Sequence, residues 1–300
     1  MNILIANLGN IRVNEIKVLA DALSKRHKVT IVCMSHNARH RGLAFSPRNT
    51  PVQVQPFLYK EVIKNTSFVI PKDIMTLRIG TELSTNDNIP AYEFNAAANP
   101  ADAISITLTE IMAHKKPDLV ICGLSNGEHM GHDIYCSSNI GMAMEACFHG
   151  VKTMAVAVEH KVGGHTEDEL RNAAMFIEKN VEKFAALKLP AHTFLNINIP
   201  TAEKYTDIKG VKVASMGHMT QLSTYSEKTD CLGEKYYWAN LAVRSNADNS
   251  DKYAKTWYDR GYITIVPLNY NSTDYEAVKT WNNSLIKDIK KQAKQEEVSS

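Results

Sequence analysis

The chain has 300 residues, 44% apolar and 22% charged, which excludes disorder and fibre and allows one or two globular domains. Its 34 basic and 32 acidic residues leave a formal charge of +2, so charge gives no reason to invoke a nucleic-acid polymer or an anionic membrane. The run Ile3 to Ala6 predicts a strand buried on both faces, followed by turn chemistry from Asn7 to Asn10. Ile16, Leu19, Ala20 and Leu23 recur at helical spacing through Ser24, and Lys28 to Cys33 is a second apolar strand. This strand–turn–helix–strand opening predicts a parallel sheet with crossover helices.

Ser35 to Pro51 carries no period and reads as a long loop, of a length that is usually functional in a compact domain. A helix over 101–114 leads through Lys115-Lys116-Pro117-Asp118 into the strand Leu119 to Cys122 and the loop Gly123 to Asp133. A helix rich in small residues follows through Gly141 to Glu145, then a strand over 151–158, a helix over 167–187 and a strand over 194–200. Beyond residue 200, Val211-Lys212-Val213 and Tyr236-Tyr237-Trp238 read as hairpin strands. Gly261 to Leu268 is again a strand, and 275–290 a closing helix. The tail over 291–300 is polar. Cys33, Cys122, Cys136, Cys147 and Cys231 are scattered without a C-x-x-C pair, which suits a reduced compartment. No apolar stretch reaches 18 residues and the start reads as a strand rather than a leader, so a cytoplasmic location is expected.

Several landmarks share their order and spacing with one family. They include the opening Ile-Leu-Ile-Ala-Asn, Asn99-Pro100-Ala101-Asp102, Lys116 to Val120, Cys122-Gly123 and Ala143-Met144-Glu145. Leu195-Asn196-Ile197-Asn198-Ile199-Pro200, Ile208 to Val211 and Gly261 to Leu268 complete the set. Through these residues the chain resembles the SurE survival-protein family, known for 5′/3′-nucleotidase and related phosphohydrolase activity. The resemblance implies an α/β fold, a Rossmann-like doubly wound and mostly parallel sheet, with the site at the carboxyl ends of the strands. It also implies a core over 1–204, a β-hairpin dimerisation arm over 205–255 and a strand and helix over 256–290 that complete the core or are exchanged between subunits. A homodimer or homotetramer is expected.

The family's hallmark is an Asn-Asp-Asp-Gly turn after the first strand. Its aspartates, with a serine after the second strand and an asparagine after Ser-Gly-Ile, hold a divalent cation through oxygen. Here the turn reads Asn7-Leu8-Gly9-Asn10. Leu8 and Gly9 fall at the aspartate positions, Arg39 at or near the serine, and Ser125 at the asparagine. The resemblance therefore implies that this metal site is lost; no metal and no cofactor are expected.

The surrounding loops are rich in polar groups: Ser35 to Gly42, which holds His36, Arg39, His40 and Arg41, and Ser125 to Asp133, which holds Asn126, Glu128, His129 and His132. Ser137, Ser138 and Asn139 stand where the family has a phosphate-binding Ser-Gly-Thr, at a helix start whose free N–H groups suit an anion. Arg39 and Arg41 could orient that anion; the plainer alternative is two solvated basic loop residues. The histidines admit three readings. With Glu128 and Asp133 they could build a zinc or iron site. His129, His132 or His40 could move protons or act as nucleophile. They could also be surface residues without a task. The leading expectation is a hydrolase-type enzyme acting without the family's metal on a small anionic or nucleotide-like substrate. Asn7, His36, Ser125 and Asn126 would join the binding set. The alternatives are a pseudoenzyme that binds a ligand or partner, and a conventional nucleotidase with a rearranged metal site.

Overall fold

The computed structural model describes residues 1–35, 40–46, 51–59, 89–240, 243–244, 249–287 and 289. The first strand, β1 (Asn2–Ala6), shows why the sheet is buried on both faces. Ile3 and Ile5 enter one apolar cluster with Ile16, Leu19 and Ile177, while Leu4 and Ala6 enter another with Ile104, Ile140 and Ala143. Successive side chains of a strand point to opposite faces, so an unbroken apolar run requires cover on each.

The remaining strands are β2 (Lys28–Met34), β3 (Val54–Leu58), β4 (Pro90–Phe94), β5 (Leu119–Asn126), β6 (Thr153–Val158), β7 (Thr193–Ile199) and β8 (Val211–Val213). After them come β9 (Gln221–Leu222), β10 (Tyr225–Thr229), β11 (Lys235–Ala239), β12 (Val243–Arg244) and β13 (Ile263–Asn269). Among the described residues one sheet runs β3-β4-β2-β1-β5-β6-β7-β13-β8. The pairs β4-β2, β2-β1, β1-β5, β5-β6, β6-β7 and β13-β8 are parallel, whereas edge strand β3 is antiparallel to β4. This is the mostly parallel, doubly wound α/β sheet that the sequence predicts.

One face is covered by α1 (Asn14–Leu23) and the helix over Glu167–Ala186, the other by α2 (Pro100–Ile106) and the helix over Ser138–Phe148. With the single turn α3 (Asp133–Cys136) falling after α2, the helices over Ser138–Phe148 and Glu167–Ala186 are α4 and α5. Helix α5 starts on a reciprocal cap: the Thr166 hydroxyl accepts from Glu169 N at 3.3 Å, and the Glu169 carboxylate accepts from Thr166 N at 2.8 Å. Such a cap contributes about 1 kcal/mol. Among the described residues no helix is long and apolar enough to cross a membrane.

Three elements depart from the sequence reading. The helix expected over 101–114 stays α-helical only to Ile106 and then loosens into a π turn, Thr107–Ile111. There the Thr107 hydroxyl donates to Ala103 O at 2.6 Å, and Met112 N reaches back to Thr107 O at 2.7 Å. Strand β5 does not stop at Cys122 but continues to Asn126 through a register shift between Cys122 and Ser125. Gly123 makes the shift possible, with φ +142° and a position where a Cβ would sit 2.3 Å from Val156 O. Val211–Val213 is not a hairpin strand: it lies parallel to β13 at the sheet edge, and the hairpin is β10 with β11.

The chain forms two compact units, Met1–Leu268 and Asn269–Ser300. In the first lies α6 (Ala254–Asp259). In the second lies α7 (Tyr275–Asn283), N-capped by Asp274, whose carboxylate accepts from Ala277 N at 2.9 Å.

Candidate functional site

Strand β1 lies between β2, which leads on to β4, and β5, which leads on to β6 and β7. The chain thus winds outward in both directions from the β1–β5 pair, and ligands of open α/β sheets bind outside the carboxyl ends at that switch point. Asn7, the residue after β1, stands at this crevice. Its amide nitrogen donates to Leu124 O across the crevice at 3.1 Å, and its amide oxygen accepts from Gly9 N at 2.9 Å. Both ends of this buried side chain therefore shape the turn. A carboxylate on β4 braces the same turn: Glu93 Oε2 accepts from Ile11 N at 3.0 Å. Leu8 faces the apolar cluster with Val32, Met34 and Ile140, and a Cβ at Gly9 would stand 2.7 Å from a Val13 methyl.

The loop after β2 is described from His40. His40 takes a left-handed backbone with φ 60°, and Arg41 follows against the start of α4. Arg41 N donates to Ser138 Oγ at 2.8 Å, and its guanidinium donates to Asn99 Oδ1 at 2.9 Å and to Ala98 O at 3.5 Å. Gly42 N donates to Cys136 O at 3.1 Å. Here the loop backbone meets the helix backbone, because a Cβ at Gly141 would come within 2.1 Å of Gly42 O. Only glycine at 141 permits that approach. Asp102 holds the far end of the loop, accepting from Ser46 N at 2.9 Å, from Ser46 Oγ at 2.6 Å and from Asn99 N at 2.9 Å. One carboxylate thus caps α2 and staples the loop that carries Arg41.

Ser137 N-caps α4, its hydroxyl accepting from Ile140 N at 3.3 Å. Ser138 and Asn139 are each 1% exposed, so they lie beneath the helix start rather than on its surface. His36 and Arg39 fall outside the described residues.

The end of β5 and the loop after it divide their residues between surface and interior. Ser125 and Asn126 are half-buried, and Asn126 is bound to the loop after β6: its amide oxygen accepts from Lys161 N at 3.0 Å and its amide nitrogen donates to Lys161 O at 3.3 Å. His132 is exposed and Asp133 half-buried, with His132 N donating to Met219 O at 2.8 Å. Glu128 is 9% exposed and His129 only 4%. Two asparagines of β7 grip His129: its backbone N–H donates to Asn198 Oδ1 at 2.7 Å and its carbonyl accepts from Asn196 Nδ2 at 2.8 Å. Burial lowers the His129 pKa to about 4, against smaller upward pulls from a side-chain hydrogen bond with Asn196 and from Glu128. The imidazole is neutral at pH 7 and closed off from solvent.

The structure therefore brings Asn7, Ser125, His40, Arg41, Ser137 and Ser138 to the carboxyl-end side of the sheet, but turns His129 inward. Among the described residues no three His, Cys, Asp or Glu side chains are placed to hold a metal ion. Of the zinc or iron cluster expected as one alternative, the described members His40, Glu128, His129, His132 and Asp133 do not come together, because His129 lies in the interior and His132 outside; His36 lies outside the described residues. Ser46, Asn99, Asp102, Asn196 and Asn198 also position the site, and their place in the sequence does not assign them to it. For Asp102 a signal existed, since Asn99-Pro100-Ala101-Asp102 has the spacing of a helix cap.

The architecture is shared with a solved structure, that of the SurE protein from Aquifex aeolicus. It superposes with a TM-score of 0.69 at 23% identity, over 93% of this chain and 98% of that one. Among curated proteins, the 5′-nucleotidase SurE of Caldanaerobacter subterraneus subsp. tengcongensis is 33% identical over 193 residues, 64% of this chain and 72% of that protein. The 5′-nucleotidase SurE of Syntrophobacter fumaroxidans is 26% identical over 287 residues, 94% of this chain and all of the relative. The family model described as survival protein SurE matches residues 3–222, most of the chain and every segment of the crevice. By fold, by relatives and by this match, the chain belongs to the SurE family.

Proposed function

We propose that the chain is a hydrolase of the nucleotidase type whose crevice takes a small phosphate-bearing substrate without the family's divalent cation. The general activity class follows from the family and from relatives that are 5′-nucleotidases. The anion seat rests on one observation. Arg41 is held between two helix starts, its backbone N–H on Ser138 of α4 and its guanidinium on Asn99 and Ala98 at the start of α2, which fixes a cation at the carboxyl-end crevice. Arg39 would add a second guanidinium. In this reading His40, adjacent to Arg41, and the exposed His132 would carry a proton, and the enclosed His129 would hold the loop.

Leu8 and Gly9 support the absence of the cation site. A hard divalent ion takes oxygen ligands. Leu8 is packed in the core, Gly9 has no side chain, and both ends of the Asn7 amide are engaged. These residues do not fit such an ion. Phosphate release from nucleoside monophosphates and simpler phosphoesters should therefore show no stimulation by magnesium or manganese. Activity that disappears on chelation and returns with either ion would move the chain to a conventional nucleotidase with a rearranged site.

A second reading, binding without turnover, is favoured by the burial of His129 and of Asn139. No release from any phosphoester under conditions where phosphate binds would support it over hydrolysis.

Assembly belongs to the same proposal. Every residue of β11 is exposed, including Tyr236, Tyr237 and Trp238, and Tyr225 of β10 is exposed beside them. An isolated two-stranded hairpin is marginal in water, and aromatic rings at its surface call for a second subunit. Light scattering should give a dimer or tetramer at micromolar concentration, and Trp238→Ser with Tyr236→Ser should shift the population toward monomer. A clean wild-type monomer would rule out the arm as a dimerisation element.

A further inference from the structure

A second polar concavity lies at the opposite end of the sheet, where β1, β2 and β5 begin. A groove of about 590 Å3 is lined there by Lys25, Arg26, Lys28 and Lys115, with Asn2 and Asp118 among its other residues. Four cations thus face one carboxylate, and that carboxylate is engaged: Asp118 Oδ2 accepts from Asn2 N at 2.7 Å. Arg26 is paired with Glu182 of α5 at 2.9 Å, whereas Lys25 and Lys28 enter no ion pair among the described residues. Helix-end electrostatics account for part of this. Lys25 and Arg26 follow the last turn of α1, where exposed carbonyls favour cations. They do not account for Lys28, which opens β2, or for Lys115, which precedes β5.

We propose that this groove binds a small polyanion of the oligophosphate type, at a site separate from the carboxyl-end crevice. Lysine ammonium groups act as mobile point charges, so several on one concavity suit an ion with several charges spread over a few atoms. Apart from His27, the lining carries no aromatic ring on which a nucleobase could stack, so the phosphate chain alone is recognised. The volume falls within the range of small-molecule sites. The two sites are separated by at least the length of β1, five residues or about 17 Å, so one ion does not span them. This goes beyond the nucleotidase reading and stands without it.

The experiment is a calorimetric titration of the full chain with inorganic tripolyphosphate. It compares wild type, R41A, K25E/K28E and R41A/K25E/K28E. R41A should retain a binding event, because the groove is intact. Adding K25E/K28E should weaken that remaining event by about tenfold or more, the size of one or two lost charge contacts. Should charge reversal impair folding, K25Q/K28Q should show the same direction with a smaller loss. Raising salt should weaken the event, since exposed charges are screened. Phosphate release at the other site should be unchanged in K25E/K28E. Loss of all tripolyphosphate binding in R41A alone, or an event in R41A that ignores both lysine replacements, would overturn the proposal. So would binding of a single-stranded oligonucleotide but not of tripolyphosphate, which would make the groove a nucleic-acid surface.

Discussion

Arg41→Ala should weaken binding of a phosphate-bearing ligand at the crevice by about ten- to hundredfold while leaving the fold nearly intact. A charge-assisted contact to an anion contributes about 1.5–3 kcal/mol, which corresponds to that range of affinity. The guanidinium also donates to Asn99 Oδ1 and Ala98 O, so some stability is lost with it, on the order of 1 kcal/mol. Arg41→Lys separates charge from geometry: it keeps the cation but loses the planar fork, and should fall between wild type and alanine. Asp102→Asn makes the indirect version of the experiment. It weakens the carboxylate that staples Ser46 and Asn99, so the loop carrying Arg41 loosens while Arg41 itself is untouched. Phosphate titration against all three variants is the measurement. Wild-type affinity in Arg41→Ala would remove the anion seat from the proposed function and leave Arg39 as the remaining cation to test in the same way.

His129 should make the folded state sensitive to acid. Its pKa is lowered from 6.5 to about 4 by burial, so the folded chain favours the neutral ring. The sign follows from proton counting. Between pH 6.5 and pH 4 the unfolded chain binds a proton at this position that the folded chain does not, so stability falls as pH falls. The contribution is fully present above pH 6.5, is lost progressively across that interval, and amounts to about 3 kcal/mol at the acid end. His129→Gln cannot titrate. It should be less stable than wild type at pH 7.5, because the packing of the buried ring is lost, yet decline more gently on acidification. Urea unfolding at a series of pH values compares the two slopes. Parallel curves for the two proteins would mean that the imidazole is reached by solvent and would reopen a proton-carrying role for it.

What could be read from the chain alone follows from how local each determinant is. Ile3 to Ala6, Lys28 to Cys33 and the helix through Leu23 announce themselves by apolar period, because burial on a strand or helix face repeats within a few residues. The π turn at Thr107 and the shift at Gly123 were illegible for the opposite reason. One depends on a hydroxyl competing for a helix carbonyl, the other on how β5 meets Val156 of the neighbouring strand. Val211–Val213 reads as half of a hairpin because a short apolar triplet does not say which strand it will join. The loop from Ser125 to Asp133 is the least legible. Its polar composition reads as surface, yet His129 is drawn inside because Asn196 and Asn198, about seventy residues later, satisfy its backbone. Hydrogen-bond partners that distant leave no trace in local sequence.

The meeting of Gly42 and Gly141 has a kinetic side. Ninety-seven residues of chain separate Arg41 from Ser138, and the contacts between them form only when the loop lies on a helix already packed against the sheet. The β1–β5 pairing spans a comparable stretch, Ile3 to Leu119, so what delays these contacts is that both of the surfaces they join must first be in place. The strands and helices can thus assemble while the crevice is still open on the Arg41 side. In refolding, the far-ultraviolet signal should recover before phosphate binding does, and the interval between them is the time taken to seat one loop.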